Sequence, residues 1–369
     1  MKSLWQMLDY REFGPVFREK TTIEAGAFTQ RYFGGLNRQT VHSDQVKLIS
    51  VNVTNTPGKA NTRTGPPNVI QPRGGTDKFH SLIRQFDEMP LDGDALRALR
   101  EMDSDSLNRL GSQVVAEQMD HVATQFALFK EVAIAHIVTY GRLNLSVDNE
   151  LLLPTVNATT GAITDHASAH VSADFGVPNA MRGNLGGIID TQWSSAGALI
   201  SKQLEALRVQ AAKDGKVLPN TIYMNTEDKY HLRANTEFKA WAQQHGERAE
   251  DVLRGDGIDD LWGFNWRFVT AYYTDSTGTQ RPIIPSKTAM IHGEIGSWLR
   301  GYDGIEILSV NPQTNFATAD EAVAQLTEVS GQFAYADIKR NPVTVSAFYG
   351  DNWGLGFAQP NIWNPTVIA

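Results

Sequence analysis

The segment from residue 54 to residue 75, TNTPGKANTRTGPPNVIQPRGG, most limits how this chain can fold. It contains four Gly, four Pro, three basic residues and no acid, and its only sizeable apolar residues are Val69 and Ile70. A structureless stretch of this length is uncommon inside a compact domain. We therefore expect it to project outward, between a strand predicted at Lys47–Val53 and a returning strand within residues 76–89.

A long amphipathic helix is predicted after this segment. Apolar residues recur three or four positions apart, beginning at Leu107, which is the spacing of one helix face. Asp103 or Ser104 would cap its start, and Tyr140–Gly141 would end it, which gives a length of about 55 Å at ~1.5 Å per residue. The core-facing positions of this helix are predicted to include Val122, Phe126, Phe129 and Ile137.

From about Trp193 the pattern becomes α/β. A second amphipathic helix is predicted at Ser195–Asp214, ended by Gly215, and it is followed by a buried strand at Thr221–Met224. Short helices around Asp228–Arg233 and Glu237–Gln244, a hairpin-rich stretch from Trp262 to Leu308, a strand at Pro342–Tyr349 and an aromatic, glycine-spaced tail complete the pattern.

Composition excludes several classes of protein. The 369 residues suffice for two to three domains, and the formal charge of −8 argues against a dedicated nucleic-acid binder. The chain has no Cys, so disulfides, thiolate metal sites and cysteine nucleophiles are excluded. Its most apolar stretch is interrupted by Lys130, Glu131 and His136, and its N-terminus is unlike a signal peptide. We expect an intracellular product with no membrane segment.

The sequence contains no motif that is typical of a catalytic, cofactor-binding or metal-binding site. Residues 183–187, GNLGG, follow no clear strand and favour an ordinary turn over a phosphate-binding loop. His166 and His170 have the spacing of two metal ligands on a helix, but the surrounding Gly/Thr/Ser-rich segment predicts strand or loop. We therefore expect no catalytic residues, no cofactor and no metal.

Charge is distributed unevenly along the chain. Residues 1–85 contain 12 Lys/Arg and 6 Asp/Glu, whereas the rest contains 21 and 35. A basic N-terminal part and an acidic body in the same subunit favour contacts between copies. The predicted inter-subunit contacts are the loop cations and the aromatic residues of the N-terminal segment, namely Lys59, Arg63, Arg73, Trp5, Phe13 and Phe17.

Three segments, in this order and spacing, resemble the major capsid proteins of tailed bacteriophages, and most closely the lambda-type major capsid family. QMDHVATQFALFKEVAIAHIVTYGRLNL (118–145) resembles that family's spine helix running into a strand. TIYMNTEDKYHLRANTEFKAW (221–241) is similar to its buried strand, turn and paired short helices. SKTAMIHGEIGSWLRGYDG (286–304) is similar to part of its axial lobe. The N-terminal arm and the loop match by position only.

The resemblance implies an α+β fold of the Hong Kong 97-like type. That fold has an N-terminal arm, an extended loop hairpin, a peripheral domain with a long spine helix, and an α/β axial domain. The expected boundaries are 1–45 for the arm, 46–89 for the extended loop, 90–190 with 328–369 for the peripheral domain, and 191–327 for the axial domain.

The family implies a non-enzymatic capsid protein that forms hexamers and pentamers of an icosahedral virion shell around double-stranded DNA. The shell would assemble in the bacterial host cytoplasm. It would enclose the DNA without sequence-specific binding and make no membrane contact. A portal protein is an expected partner, and a scaffold, if present, would be a separate protein, as would a decoration protein. Two alternatives remain open from the sequence: an encapsulin-like compartment shell protein, or a soluble α/β enzyme whose long loop forms a lid.

Overall fold

A computed structural model of the chain describes residues 38–42, 45–51, 75–90, 105–148, 150–275, 277–293, 299–309, 326–340, 343–357 and 361–368. Its α-helices are α1 (Asp105–Tyr140), α2 (Ile200–Lys213), α3 (Thr236–Gln244) and α4 (Ala249–Val252). Short 3-10 helices occur at Asn179–Met181, Leu185–Gly187 and Asp228–Ala234.

The strands follow in chain order. In the first half of the chain they are β1 (Arg38–Val41), β2 (Gln45–Val51), β3 (Gly75–Ser81), β4 (Ile83–Pro90), β5 (Arg142–Leu145), β6 (Leu151–Leu152), β7 (Thr155–Val156), β8 (Ile163–Thr164), β9 (Val171–Asp174) and β10 (Arg182–Gly183). In the second half they are β11 (Thr221–Asn225), β12 (Gly257–Leu261), β13 (Phe264–Val269), β14 (Tyr272–Thr274), β15 (Gln280–Pro282), β16 (Ala289–His292), β17 (Leu299–Ser309), β18 (Leu326–Ser330), β19 (Gln332–Arg340), β20 (Val343–Phe357) and β21 (Ile362–Pro365).

Helix α1 is continuous over 36 residues, or about 54 Å, and Gly111 does not interrupt it. It ends as the sequence predicts. Gly141 has φ +64°, and its N–H donates to the carbonyl of Ile137 at 2.8 Å, which satisfies one of the last carbonyls of the helix. The predicted N-cap residues, Asp103 and Ser104, lie outside the described residues. No helix among the described residues is long and apolar enough to cross a bilayer.

The described residues divide into two units. The first contains α1 up to Glu131 and a six-stranded sheet in which β1, β17, β20 and β19 are neighbours in that order. Strand β18 pairs with β17, and β4 pairs with β20 over the whole register from Ile83 to Pro90. The antiparallel ladder of β19 with β20 runs from Gln332 to Arg340. The paired strands β2 and β3 form a separate ladder on either side of residues 52–74, which lie outside the described residues.

The second unit contains a mixed sheet in the order β10-β21-β16-β11-β13-β12. Strand β11 is its centre, parallel to β13 and antiparallel to β16. Helix α2 buries Leu204, Leu207 and Ala211, the residues spaced three and four apart on its apolar face. The guanidinium of Arg208, also on α2, lies 4.4 Å from the centre of the Phe264 ring of β13. A polar side chain of the helix therefore contacts the same sheet as its apolar face.

Two differences from the sequence expectation have local causes. Residues 150–155 have the sequence pattern of one strand, but they form two short strands, β6 and β7, with Pro154 between them, because proline lacks the N–H that a ladder needs. The sequence groups residues 328–369 as one returning piece, whereas β21 pairs with β16 in the sheet of the second unit.

Candidate functional site

A buried ion pair joins the long helix to the sheet of the first unit. Lys130 Nζ of α1 lies 2.6 Å from Asp351 Oδ2 of β20, and the two side chains are only 3% and 1% exposed. Gln332 Nε2 donates to the same carboxylate oxygen at 3.3 Å, and the lysine ammonium lies 5.2 Å from the centre of the Trp353 ring. Each charge thus has an opposite charge and a polar or aromatic neighbour to replace water.

An aromatic cluster lies on the opposite face of the same sheet, because Phe86 and Phe333 both pair with Gly350, the residue next to Asp351 in β20. Phe86 of β4 stacks on Phe348 with ring centroids 5.6 Å apart, and Phe333 lies 6.2 Å from Phe86. A Cβ at Gly350 would meet the Phe333 ring at 2.1 Å, so only glycine allows this approach. The Trp353 indole N–H donates to Gln85 at 3.1 Å, which ties β20 to β4 through a side chain as well as the backbone.

A buried arginine stabilises the C-terminal end of α1 in the second unit. Arg182 donates to the carbonyl of Tyr140 at 2.5 Å and to the carbonyl of Val177 at 2.9 Å. A cation at a helix C-terminus is favourable because the unpaired carbonyls carry partial negative charge. Burial lowers the pKa of Arg182 to about 10, so the group remains charged at neutral pH.

Two buried histidines of the second unit stay neutral near pH 7. Desolvation lowers the pKa of His136 to about 4 and that of His292 to about 4. His136 Nε2 lies 3.1 Å from the hydroxyl of Tyr273, whose pKa burial raises to about 12. His136 therefore fills a core position rather than a catalytic one.

One small sheet of the second unit leaves apolar side chains in solvent. Strands β6, β5 and β9 pair in that order, so Leu151, Leu145 and Val171 lie directly opposite one another across the three strands. Residues opposite each other in an antiparallel ladder share a face. Val171 is 47% exposed, and Val147, in the turn after β5, is 74% exposed. We call these four residues the apolar tip.

The structure places the sequence-predicted residues as follows. Lys59, Arg63, Arg73, Trp5, Phe13 and Phe17 lie outside the described residues. On the spine helix, Val122, Phe126 and Ile137 are buried, whereas Phe129 is half-buried, next to Leu128, which is 44% exposed. The buried face of α1 is therefore narrower around residues 128–129 than the apolar residues of the sequence predict.

The part of the chain that the structure describes holds no group of three His, Cys, Asp or Glu side chains able to bind a metal ion. His166 and His170 are exposed and lie in a turn region rather than on a helix. An open cavity of about 420 Å³ in the second unit is lined by Gly186, Asp190, Leu199, Lys202 and Gln203 among others. Gln203 donates to Asp190 at 2.7 Å, so this carboxylate is fixed by a neighbouring amide.

Sequence reasoning missed the Lys130–Asp351 pair and the apolar tip. A lysine inside an apolar helix stripe is a signal that a buried partner exists, but the partner is 221 residues away and nothing in the sequence identifies it. The sequence gives no signal for the tip, because Val147 and Val171 lie among residues that are typical of ordinary short strands.

These features define a structural protein: a long helix held to a sheet by a buried ion pair, a mixed sheet with a helix packed on it, and apolar surface on a small sheet. The chain belongs to the phage major capsid protein E family, whose model matches residues 25–294. It is accordingly a capsid shell protein of the virion and not an enzyme, which confirms the sequence prediction.

The fold is that of a solved capsid structure, and two further capsid structures show a weaker likeness. A protein assigned as the capsid protein of an E. coli CFT073 prophage is 12% identical and has a TM-score of 0.56, with 98% of this chain and 99% of that chain covered. The mature capsid of bacteriophage PhiM1 is 10% identical over 89% of this chain and 84% of that chain, with a TM-score of 0.43. The capsid of Ralstonia phage GP4 is 12% identical over 89% and 85%, with a TM-score of 0.42. No curated protein matches this sequence.

Proposed function

We propose that copies of this chain assemble as hexamers and pentamers into the icosahedral head that encloses the double-stranded DNA of a tailed bacteriophage. The observation that carries this proposal is the division of charge. The first 85 residues contain 12 Lys/Arg against 6 Asp/Glu, and the remainder contains 21 against 35. A subunit with a basic extension and an acidic body attracts further copies of itself.

The acidity of the body also suits a container for DNA. A wall that carried many unpaired cations would bind its polyanionic cargo tightly and without sequence specificity. The net charge of −8 keeps the wall from doing so. We infer that the DNA is enclosed without sequence-specific contacts, that a portal protein and separate scaffold or decoration proteins are the partners, and that assembly takes place in the host cytoplasm.

We infer the four-part organisation given above: arm at 1–45, extended loop at 46–89, peripheral domain at 90–190 with 328–369, and axial domain at 191–327. The buried contact of Lys130 with Asp351 supports the grouping of the two peripheral pieces, since it joins one to the other. The mixed sheet around β11 supports an axial body within 191–327, because four of its six strands, β11, β13, β12 and β16, come from that range, while β10 and β21 at one edge come from the peripheral ranges.

The test is a charge reversal in the projecting segment. Lys59→Glu, Arg63→Glu and Arg73→Glu together should leave subunit stability within about 1 kcal/mol of wild type, since the predicted partners of these cations lie on other copies and the segment itself has no acid. Closed shells should nevertheless fail to form, because truncating one partner of a buried interfacial pair costs ~2–5 kcal/mol and the loss recurs in every subunit.

A matched control changes the net charge equally on the body. Lys202, Lys239 and Arg254 are exposed, and their replacement by Glu should leave the segment's contacts intact. Assembly is scored by negative-stain microscopy and subunit stability by chemical denaturation. Normal shells from the segment variant, or a segment variant whose subunit unfolds, would refute the proposed role.

A further inference from the structure

We propose that the apolar tip (Leu145, Val147, Leu151 and Val171) receives the segment around Val69–Ile70 from a neighbouring copy of this chain. The proposal rests on the proposed function, in which many copies share one shell, and it identifies the surface that the projecting segment contacts.

The tip offers apolar surface on a firm backbone. Leu145 pairs with Leu151 on one side and with Val171 on the other. The three side chains therefore form one row across the sheet, at the end where β5 leads into the turn of Val147. Leu143, two residues before Leu145 on the same face of β5, is buried. This face of the sheet therefore changes from buried to solvent-exposed within two residues. The turn itself is held in shape, since Ser146 Oγ accepts from the N–H groups of Asp148 and Glu150, each at 3.1 Å.

The opposite face of this sheet is already engaged. In the amide orientation that satisfies both of its groups, the oxygen of Asn144 accepts from the N–H of His166 at 3.0 Å. Its amide nitrogen then donates to Asp165 at 3.1 Å and to Ser172 at 2.9 Å. Asn144 is fully buried by these contacts. The loop at 165–166 therefore covers the polar face, and the apolar row lies on the other side.

The charge around the tip is negative. Arg142 is the only Lys or Arg in residues 142–176, and it forms ion pairs with Asp165 at 3.0 Å and Asp174 at 3.2 Å. Asp148 and Glu150, beside Val147, are exposed acids. A partner for this surface should therefore present a small apolar group flanked by cations.

The segment from 54 to 75 has that composition. Val69 and Ile70 are its only sizeable apolar residues, Arg63 and Arg73 flank them, and the segment has no acid. Pro66, Pro67 and Pro72 favour an extended, preorganised backbone, which lowers the entropy lost on docking. Since proline lacks an N–H, we expect side-chain docking rather than strand addition.

The experiment uses the absence of cysteine from the chain. One population carries Val147→Cys and the other carries Ile70→Cys, and the two are assembled together and oxidised. A disulfide between these populations can form only between copies, and it should give a band at twice the monomer mass on non-reducing gels. Val209, which is 45% exposed on α2, supplies the matched control: Val209→Cys mixed with Ile70→Cys should give at least about tenfold less of this band.

Two outcomes would overturn the proposal. These are dimers from Val147→Cys alone, which indicate contact between two tips, and mixed shells with no link between the two populations. In the last case the shells themselves still support the proposed function. Failure of the wild-type chain to form shells would refute the proposed function, and this inference with it.

A second variant tests the same contact without oxidation. Val147→Asp should raise the protein concentration needed for assembly by about tenfold, because a buried valine contact is lost and an acid is added next to acids. Since Val147 is 74% exposed, thermal unfolding of the subunit should stay unchanged. Val209→Asp should assemble as wild type does. Assembly of Val147→Asp at the wild-type concentration would contradict the proposal.

Discussion

The buried pair between Lys130 and Asp351 gives the sharpest prediction about subunit stability. The two side chains are 3% and 1% exposed, and their charged atoms are 2.6 Å apart. Replacing Lys130 with Met keeps the length and the apolar stem but leaves the carboxylate of Asp351 without its cation. Removing one partner of a buried pair costs ~3–5 kcal/mol, since an uncompensated charge is left in the core. We expect Lys130→Met to lose about that much unfolding free energy.

The double variant Lys130→Met with Asp351→Leu separates the pair's charge from its volume. Replacing both partners of a buried pair with apolar residues is often neutral or stabilising by ~1–4 kcal/mol. The double variant should therefore recover most of the loss caused by Lys130→Met alone.

An exposed ion pair provides the control. Arg233 and Glu250 lie 3.4 Å apart with side chains 59% and 63% exposed, so Arg233→Met should cost less than about 1 kcal/mol. Urea unfolding of unassembled subunits, followed by tryptophan fluorescence and circular dichroism, measures all three variants. A loss of less than about 1 kcal/mol in Lys130→Met would show that the pair is not desolvated as described, and would refute the reasoning.

Three further predictions concern the core, covalent links and pH. Phe126 is 1% exposed, so Phe126→Ala should cost about 3–5 kcal/mol in urea unfolding, and Phe126→Asp should give insoluble protein; soluble, assembling Phe126→Asp would contradict its burial. Denaturing gels of mature shells should show one band at monomer mass, and a ladder of multimers would reveal covalent links between subunits. The pKa of His136 lies near 4 in the folded state and near 6.5 when unfolded, so the unfolded state binds more protons between these values. Subunit stability should therefore fall as pH decreases from about 6.5 towards 4, and His136→Gln should reduce that slope in pH-dependent urea unfolding.

The sequence predicted best those elements that local periodicity defines. The end of α1 at Tyr140–Gly141 follows from its stripe and its glycine, and α2 follows from Leu204 and Leu207 in the same way. These features depend on neighbours three or four residues away, so one segment contains the whole signal.

Features that depend on distant residues were less predictable. The strand expected to end at Tyr349 continues to Phe357, although Gly350 and Gly354 in it are typical of turns. At both glycines the space that a Cβ would fill is occupied by a side chain from another strand or loop. Phe333 lies against Gly350, and Leu82 lies against Gly354. Lys130 likewise interrupts the helix stripe for a reason that only Asp351 explains.

The mass of the purified wild-type assembly tests the central claim most directly. The chain has a mass of 40.7 kDa, so particles of one to four copies are far smaller than any closed shell. Native mass measurement combined with negative-stain images should show capsomers or megadalton shells of regular outline. A preparation that contains only monomers to tetramers, under all conditions in which the subunit is folded, would contradict the account of a self-assembling capsid protein.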